Sequence, residues 1–496
     1  MEKAAAQVSP CGNMPRSFRC VQAHITFFPL MLMEQARLVI SGLSGGSGKT
    51  LVSLGLTRLF ARRGLAVQPC KKGPDYIDYA WLALAAGRPA ACLDPYFLDD
   101  AALLRRFSLT CARRPADMAV IEGNRGLFDG RDVEGSCSTA HVARLLKAPV
   151  ILTMNCAKMT RTAAAVVSGI ARFEPELNLA GVMLNNVAGE RHGSMLRRAV
   201  ETYTDIPVVG ILPRLHHNPL PERHMGLSLD EADPAAHAVL DSLADLLENN
   251  SDTERILALA RTAPSLPDLP CEEKQKEAHG GPLIGYVHDK ALWFYYEENL
   301  EALRAAGARL IRLSLFDDAP WPDIDGLYLG GGYPELFADE ISASPHLADI
   351  RALSLAGRPI YAECGGFMIL CDALTLDDGP RPMAGILPPR PRFFRRPQGL
   401  GYVTARVAAP NPFHPLGSVW HGHEFHYSRC EWPQGLLPPC CLELSPGTGM
   451  YEKDGIRYDG LLVRRTFACW THLFAPAVPH WAENFVRACA EDAAAG

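Results

Sequence analysis

Two widely separated segments of the chain carry residue types and spacings that are suited to catalysis. The first runs from Gly42 to Thr50 and has the sequence GLSGGSGKT. Between a strand and a helix, such a loop lets backbone N–H groups converge on phosphate oxygens. A lysine then reaches the β- and γ-phosphates, and a threonine hydroxyl binds Mg²⁺. The predicted ATP site consists of Gly42, Gly45, Gly46, Ser47, Gly48, Lys49 and Thr50.

The spacing of this loop departs from the usual GxxxxGK[ST] pattern. Its leading glycine, Gly42, lies one residue farther from Gly48, because Leu43 occupies the expected position. Loops that carry a second, signature lysine would have that lysine at Ser44, so this form is absent as well. A GxxxxxGKT arrangement is similar to the dethiobiotin synthetase branch of the P-loop enzymes.

The second segment places Cys364 in the sequence Glu-Cys-Gly-Gly, directly after an apolar run. A cysteine at a strand-to-helix turn exposes its sulfur, the helix N-terminus favours the thiolate, and small neighbours admit a substrate. His472, near the end of the chain, is the candidate base. Backbone N–H groups of glycines near the cysteine are suited to an oxyanion hole, which is predicted at Gly332 and Gly365.

Two further segments place carboxylates where Mg²⁺ ligands are expected. Residues 71–78, KKGPDYID, combine two lysines with two acids around a turn. Residues 120–130, VIEGNRGLFDG, place one acid at a strand end and another farther along the loop. Acids at strand ends beside a phosphate loop are suited to Mg²⁺ binding. The predicted metal ligands are Thr50, Asp75 and Glu122. The other charged residues, expected to contact substrate or order their loops, are Lys72, Asp78 and Asp129.

The elements that must position these residues alternate between short apolar runs and helix-compatible stretches. This alternation predicts a doubly wound parallel sheet with helices on both faces, an α/β fold of the P-loop type. A helix is predicted over residues 51–63, closed by Gly64. The predicted strands of the first half are residues 37–42, 118–121, 150–153, 179–184 and 208–212.

A second α/β domain is predicted after a change in composition. Residues 249–281 are rich in Pro, Glu, Lys and Ser, with weak periodicity, which indicates a linker. The strands predicted beyond it are residues 283–287, 310–313, 326–329 and 359–362, followed by short antiparallel strands and loops over 388–441. The expected organisation is an N-terminal extension (1–35), an ATP-dependent domain (36–250), a linker (251–281) and a cysteine-bearing domain (282–490).

Length and composition limit the class of protein. A chain of 496 residues is too long for a single ordinary core. A formal net charge of -6 and the lack of a basic stripe argue against nucleic-acid binding. The 15 cysteines contain no CxxC pair, which favours reduced thiols in a cytoplasmic enzyme. The apolar run at residues 27–33 is too short for a membrane span, so residues 1–35 are expected to be disordered or an overlong start.

Several longer motifs give a specific resemblance, which covers roughly residues 37–490. The segments KKGPDYID, VIEGNRGLFDG and, at residues 421–428, HGHEFHYS resemble the cobyrinic acid a,c-diamide synthases and the associated glutamine amidotransferase domain. The resemblance implies ATP- and glutamine-dependent amidation of the a- and c-acetate side chains of a corrin, with a tetrapyrrole as substrate. It also implies a substrate and Mg-ATP site formed by Asp75, Tyr76, Asp78, Glu122 and Asp129.

In the reaction that follows from this resemblance, Cys364 releases ammonia from glutamine while ATP converts a substrate carboxylate to an acyl phosphate. Triad-type amidotransferases carry a glutamate two residues after the catalytic histidine. Here that residue is Phe474, so the sequence predicts a Cys-His dyad without an identified third member. Zinc binding is not expected at His421, His423 and His426, which lack a nearby cysteine. These three histidines are suited either to contact with the corrin or to a domain interface that carries ammonia, and the sequence does not choose between the two.

Two alternatives are left open. One is a,c-diamidation of another tetrapyrrole, such as hydrogenobyrinate or nickel-sirohydrochlorin. The other is a regulatory P-loop ATPase with a non-catalytic amidotransferase-like domain, against which the intact Cys364 and His472 argue. The metal in the ring, the order of amidation and a homodimeric state are also open.

Overall fold

The computed structural model describes residues 35–215, 220, 234–267, 280–433 and 437–493. Among these residues, seven strands form the first sheet: β1 Ala36–Gly42, β2 Val67–Lys71, β3 Ala91–Cys92, β4 Met118–Glu122, β5 Val150–Asn155, β6 Leu179–Val187 and β7 Val208–Pro213. Their order is β3-β2-β4-β1-β5-β6-β7, and every neighbouring pair is parallel. The predicted doubly wound α/β fold is therefore confirmed.

Within the described ranges, eight helices accompany this sheet: α1 Lys49–Arg62, α2 Tyr76–Ala86, α3 Asp100–Arg113, α4 Thr139–Leu145, α5 Thr162–Phe173, α6 Glu190–Tyr203, α7 Pro234–Asn250 and α8 Thr253–Arg261. Side-chain oxygens at the residues before α2, α3, α4 and α8 accept hydrogen bonds from free N–H groups of the first turn. Such caps satisfy donors that have no partner within the helix. The helix starts are thereby fixed by local sequence.

Apolar runs predict β1 and β4 to β7 but not β2 or β3. The five residues of β2 include Gln68, Pro69 and Lys71, yet all five are buried. Proline and polar residues interrupt the continuous apolar pattern by which a central strand is predicted. β3 has only two residues. β2 and β3 therefore form because the sheet and its helices bury these residues, although the apolar pattern does not predict them.

The helix α8 lies inside the range that composition assigns to a linker. Its residues Ile256 and Ala260 are fully buried and belong to the core of the first sheet. Spacing by four residues places them on one helix face. Residues 268–279 of that predicted linker, like residues 1–34 of the predicted extension, lie outside the described residues. The division into domains stays a prediction.

The second half contains a mixed sheet and smaller accessory sheets. Its strands are β8 Leu283–Val287, β9 Leu292–Phe294, β10 Arg309–Leu313, β11 Gly326–Leu329, β12 Gly331–Gly332, β13 Ile360–Glu363, β14 Ala373–Leu376, β15 Gly379–Pro382, β16 Arg390–Phe393, β17 Gly399–Val407, β18 Val419–His426, β19 Ser428–Glu431, β20 Cys440–Leu444, β21 Tyr451–Lys453, β22 Ile456–Val463, β23 Thr466–Cys469 and β24 His472–Leu473. The large sheet has the order β10-β8-β11-β13-β23-β22-β20-β17-β18-β24, with β21 paired to β22.

The parallel part of this sheet runs from β10 to β23, and the remaining strands are antiparallel. The expected antiparallel region is confirmed and extends beyond residue 441 to β22 and β23. The helices of this half are α9 Glu297–Ala305, α10 Ala338–Ala343, α11 His346–Leu355, α12 Gly365–Leu370 and α13 Trp481–Ala493. Across the part of the chain that the structure describes, no helix has the length and apolar character to cross a membrane.

Polar contacts join the two halves through α9. The Tyr79 hydroxyl donates to Glu298 Oε2 at 3.1 Å, and the backbone N–H of Cys92 donates to Glu298 Oε1 at 2.9 Å. Arg106 and Arg114 lie 3.0 and 2.8 Å from the carboxylate of Glu301. Charge-assisted hydrogen bonds of this kind are directional. They fix α9, and with it the neighbouring β9, against the first half.

Candidate functional site

The phosphate loop lies between β1 and α1. Gly48 has φ 97°, a left-handed backbone conformation that favours glycine. A larger residue would not fit here, because its Cβ would lie 2.2 Å from the side-chain amide nitrogen of Asn185. The Lys49 ammonium donates to the carbonyl oxygen of Ser44 at 2.9 Å. Ser47 Oγ accepts from the Ser44 N–H at 3.1 Å and donates to its carbonyl at 3.0 Å. The lysine and the loop backbone therefore lie together at the carboxyl end of β1.

The other loop glycines differ in their surroundings. An added Cβ at Gly42 would lie 2.8 Å from Ser47 Cβ, whereas Gly45 and Gly46 meet no atom within 4 Å. Gly42 thus permits close packing at the strand end, and Gly45 and Gly46 leave space above the loop. Together with the start of α1, this supplies the backbone donors and the space that a polyphosphate needs.

A buried ionic cluster lies beside the loop. Thr50 Oγ1 donates to Glu122 Oε1 at 2.7 Å. The Lys71 ammonium lies 3.1 Å from the same oxygen and 2.6 Å from Asp78 Oδ2. Asp75 caps α2, because its side chain accepts from the N–H of Asp78 at 3.1 Å. The structure therefore brings four predicted site residues together and adds Lys71 to them.

Burial and neighbouring charges shift the pKa values in this cluster. Burial is the largest influence on the Glu122 carboxyl and raises its pKa to about 7, although Lys71 opposes the shift. Burial lowers the pKa of Lys71, but the charges of Asp78, Glu122 and Asp75 outweigh this and raise it overall. Lys71 is therefore an ammonium at neutral pH. Glu122 Oε2 is buried and has no hydrogen-bond partner among the described residues, so it is available to a further cation.

Asp129 and Lys72 lie at the edge of this arrangement. Asp129 Oδ2 accepts from the backbone N–H of Gly126 at 2.9 Å, so this carboxylate orders its own loop. Lys72 is buried, and its backbone N–H donates to the Glu122 carbonyl at 2.9 Å. Burial lowers the pKa of the Lys72 ammonium, and Asp94 opposes that shift. Like Lys71, Lys72 therefore lies beside β4, the strand that carries Glu122.

Cys364 occupies the turn between β13 and α12 with φ 47° and ψ -101°. A residue with a side chain held at positive φ costs about 1–3 kcal/mol, and such strain occurs at functional turns. A sharp strand-to-helix turn of this kind presents a nucleophile at the end of a sheet. The thiol is buried, and its Sγ lies 3.5 Å from the carbonyl oxygen of Phe425.

The two predicted oxyanion-hole glycines lie side by side at this sulfur. An added Cβ at Gly365 would lie 2.9 Å from the backbone nitrogen of Gly332. Burial is the largest influence on Cys364 and raises the pKa of its thiol well above the usual range, and Glu335 adds to the shift. The N–H groups of Gly365 and Gly332 oppose it. The two backbone donors of the turn therefore favour the thiolate, as the sequence predicts, but burial of the sulfur has the larger effect on this pKa.

The carboxylate partner of His472 is Glu363, the residue directly before Cys364. Glu363 Oε2 lies 3.1 Å from His472 Nδ1, and Glu363 Oε1 accepts from the Tyr328 hydroxyl at 2.9 Å. All three side chains are buried. Glu363 pairs with Cys469 of the parallel neighbour β23. His472 follows that strand closely in the chain, so its side chain lies next to Glu363. Glu363, at the end of β13, is therefore the candidate for the third member that the sequence leaves unidentified.

Tyr76, which the resemblance implies for the substrate and Mg-ATP site, contacts residues of the second half. Its ring stacks on Phe294 at 5.1 Å and lies 5.0 Å from the ring of His472. The side chain thus contacts the cysteine-bearing half. Since Asp75 is the N-cap of the same helix, the first turn of α2 borders both candidate sites.

The three histidines of β18 have different neighbours. His421 Nδ1 lies 3.2 Å from Thr404 Oγ1, and His423 stacks on His472 at 5.0 Å. His426 stacks on Trp470 on the other strand face. The described ranges contain no group of three or more His, Cys, Asp or Glu residues arranged to hold a metal.

Three residues of these sites were missed by reasoning from the sequence. Lys71 ends β2, a strand that the apolar pattern does not reveal. Asn185 lies in β6, and its amide nitrogen donates to the Ser47 carbonyl at 3.1 Å. A polar residue near the carboxyl end of a predicted strand is a signal that could have identified Asn185. Glu363 gives the same signal at the end of the predicted strand 359–362, but the sequence does not reveal its partner, which is distant in the chain.

The chain matches two family models and many curated relatives. Residues 38–227 match the CobQ/CobB/MinD/ParA nucleotide binding domain, and residues 283–478 match the CobB/CobQ-like glutamine amidotransferase domain. A cobyrinate a,c-diamide synthase of Syntrophotalea carbinolica is 43% identical over 92% of this chain and 99% of its own length. Relatives with the same name from Magnetococcus marinus and Archaeoglobus fulgidus are 40% and 37% identical over 91% and 92% of this chain, and over 96% and 98% of their own lengths. The chain therefore belongs to the cobyrinate a,c-diamide synthase family, whose nucleotide-binding and glutamine amidotransferase domains make it a glutamine-dependent ligase.

Proposed function

We propose that this chain amidates the a- and c-acetate carboxylates of cobyrinic acid, with glutamine as nitrogen donor and ATP as activator. The observation that carries the proposal is the first turn of α2. Asp75 at its start belongs to the ionic cluster beside the phosphate loop, whereas Tyr76 contacts His472 of the glutaminase centre. The two sites therefore adjoin, as transfer of ammonia from one to the other requires. The names of the relatives support the choice of substrate.

In the glutaminase half, the Cys364 sulfur attacks the side-chain amide carbon of glutamine and His472 accepts the thiol proton. The N–H groups of Gly332 and Gly365 stabilise the oxyanion of the tetrahedral intermediate. When the C–N bond breaks, His472 returns the proton to the leaving nitrogen, and ammonia departs. Water then hydrolyses the thioester to glutamate. Glu363 holds the imidazole in the tautomer and orientation that this proton transfer needs.

In the first half, a substrate carboxylate attacks the γ-phosphorus of ATP, and ADP leaves. The product is an acyl phosphate, which is a better electrophile than a carboxylate because phosphate is a far better leaving group than oxide. Ammonia then attacks the acyl carbon and phosphate departs, which gives the amide. Lys49 and the loop N–H groups would bind the β- and γ-phosphates.

Thr50, Asp75 and Glu122 would hold Mg²⁺. The Thr50 hydroxyl and Glu122 carboxylate meet at 2.7 Å, and Glu122 has a buried oxygen without a partner among the described residues, so the donor set suits a hard cation. When bound, Mg²⁺ would neutralise charge on the phosphate oxygens. Lys71 would hold Asp78 and Glu122 in place through its ion pairs.

The test is mass spectrometry of the products formed with ATP, glutamine and each of three substrates. These are cobyrinic acid, hydrogenobyrinic acid and nickel-sirohydrochlorin. We expect conversion of cobyrinic acid to its diamide, with glutamate and ADP formed in step. Diamidation of another ring alone would assign a different substrate to the same sites. Absence of glutamate release with every substrate would contradict catalysis in the second half.

A further inference from the structure

Glu335 brings a carboxyl group to the glutaminase centre, and the proposed mechanism gives it no role. It belongs to the short 3₁₀ helix Pro334–Phe337 and follows Gly332, a proposed oxyanion donor, by three residues. An added Cβ at Gly365 would lie 2.9 Å from the backbone nitrogen of Gly332 and 3.1 Å from Cδ of Pro334. The start of this helix therefore packs directly against the turn of the proposed nucleophile.

One carboxylate oxygen of Glu335 is buried without a partner. Its Oε2 makes no hydrogen bond to any residue that the structure describes. Burial raises the pKa of this carboxyl to about 7, and the hydrogen bond from its own backbone N–H opposes the shift. Buried polar groups in native proteins are nearly always satisfied by protein or by small polar molecules. The partner of a carboxylate is a hydrogen-bond donor, and a cationic donor favours its ionised form most strongly.

The charges around Cys364 favour a ligand with a cationic group. The two charged side chains with the largest influence on this thiol are Glu335 and Glu363, and both raise its pKa. Glu363 already accepts from the Tyr328 hydroxyl and pairs with Nδ1 of His472. Glu335 is therefore the carboxylate that is left for a ligand. Its charge opposes formation of the thiolate until a cation offsets it.

Free glutamine carries such a cation at a suitable distance from its amide. Four covalent bonds separate the side-chain amide carbon from the α-nitrogen, so the two atoms are about 5 Å apart in the extended molecule. The amide oxygen is assigned to the N–H groups of Gly332 and Gly365, close to the helix that carries Glu335. A glutamine residue inside a peptide has no ammonium group, so a carboxylate at this place would distinguish the free amino acid.

We propose that Glu335 binds the α-ammonium group of glutamine and thereby selects the free amino acid as nitrogen donor. This inference rests on the proposed glutaminase reaction. The ammonium donates a hydrogen bond to Oε2, and no covalent bond changes in this step. The bound cation offsets the negative charge of Glu335, so the thiolate of Cys364 forms more readily once glutamine is in place.

The experiment compares glutamine with glutaramic acid, which has the same amide and carboxylate but no amino group. Release of glutamate or glutarate is measured with ATP and cobyrinic acid for wild type and for Glu335→Gln. We expect the variant to lose about 100-fold in kcat/KM for glutamine, mainly through KM, which corresponds to roughly 2.8 kcal/mol for a buried charge pair. Its kcat/KM for glutaramic acid should not fall.

Binding without turnover gives an independent measurement. Cys364→Ser stops the reaction, and isothermal titration calorimetry then gives the affinity for each ligand. Addition of Glu335→Gln to this variant should weaken the binding of glutamine in proportion to the change in KM, and leave that of glutaramic acid unchanged. Glu335→Asp keeps the charge on a shorter side chain and should retain part of the affinity for glutamine. It also keeps the test valid if Glu335→Gln misfolds.

Glu340→Gln is the matched control. Glu340 lies five residues farther along, in α10, but it is exposed and pairs with Lys290. This variant should change neither the KM for glutamine nor the preference for glutamine over glutaramic acid. Amidation with ammonium chloride should be unchanged in every variant at positions 335 and 340, because this nitrogen source bypasses the glutaminase centre.

A purely structural role for Glu335 predicts a different result. If the residue only supported the turn, its replacement would slow both glutamine turnover and alkylation of Cys364 by iodoacetamide. Loss of a binding charge should instead weaken glutamine binding and speed alkylation above pH about 7, where the Glu335 carboxyl is ionised in the ligand-free protein. The two effects of Glu335→Gln therefore have opposite directions.

Two results would overturn the proposal. An unchanged preference for glutamine over glutaramic acid in folded Glu335→Gln would show that the ammonium group binds elsewhere. Equal losses for the two ligands would show that Glu335 supports the turn instead. If wild type releases no glutamate, yet Cys364→Ser binds glutamine more tightly with Glu335 than with Gln at this position, the proposed reaction fails and the binding site stands.

Discussion

Glu363 and His472 are 109 residues apart in sequence, yet Glu363 Oε2 lies 3.1 Å from His472 Nδ1 in a fully buried pair. The adjacent Cys364 is the proposed nucleophile, so carboxylate and thiol come from one turn while the histidine comes from another strand. Burial raises the pKa of Glu363, and its hydrogen bonds with His472 and Tyr328 oppose the shift. In the proposed mechanism, the pair orients the imidazole for proton transfer.

Glu363→Gln is expected to lower glutamine-dependent turnover by on the order of 10²-fold or more, because a neutral amide no longer fixes the tautomer of His472. Amidation with ammonium chloride should be unaffected. Tyr328→Phe removes only the second hydrogen bond of Glu363 and should have a smaller effect. The measurement is the glutaminase rate of both variants. Equal rates for wild type and Glu363→Gln would show that this carboxylate has no role in the mechanism.

Cys364→Ser should abolish amidation with glutamine while ammonium chloride at high concentration still supports product. The sulfur is needed only to release nitrogen. Amide formation is measured with each nitrogen source, after circular dichroism has shown that the variant is folded. If a folded variant lost both activities, Cys364 would not be confined to the glutaminase step.

Lys49→Ala should remove amidation with either nitrogen source, since activation of the carboxylate precedes capture of ammonia. Loss of a group that stabilises charge in the transition state costs on the order of 10²-fold or more in rate. Measurement of phosphate release together with amide formation checks this. A variant that kept most of its ammonium-dependent rate would place the ATP site outside this loop.

Asp75→Asn and Glu122→Gln should nearly abolish turnover, with nucleotide binding only partly weakened, because both carboxylates are expected to hold Mg²⁺. Asp78→Asn should mainly change substrate affinity or the ratio of monoamide to diamide. Its contact with Lys71 at 2.6 Å adds a second expectation, a loss of thermal stability, since a buried ion pair is broken. Glutaminase activity, the internal control, should persist in all three. Maximal rates within a few-fold of wild type for the first two variants would contradict the Mg-ATP assignment.

Inactivation of the glutaminase by iodoacetamide should accelerate steadily with pH from about 6 to about 9, without a plateau, since the thiolate is the reactive form. Burial holds the pKa of Cys364 well above its usual range, so the thiolate fraction keeps rising through this interval. Burial raises the pKa of Glu335 to about 7, so its charge raises the Cys364 pKa mainly above that pH, and Glu335→Gln should speed the reaction there. A plateau below about pH 8 would reveal a thiolate that is already stabilised.

The sequence by itself determined the elements and residues that depend on local patterns. Apolar runs located β1 and β4 to β7, because buried strands of a parallel sheet need continuous apolar residues. Glycines at fixed spacing before Lys49 located the phosphate loop, since only they allow its backbone to turn and approach phosphate. Cys364 was identified in the same way, by an apolar strand followed by two glycines.

Only the tertiary structure decided which distant groups meet. Glu363 became the partner of His472 because β13 and β23 are parallel neighbours, a pairing that no local pattern encodes. Lys71 joined the ionic cluster because the sheet buries β2 despite its polar residues. Tyr76 turned toward His472 because packing of the two halves, rather than the residues around it, sets the direction of its ring. Such contacts depend on strand order and interface packing, which arise only when the whole chain folds.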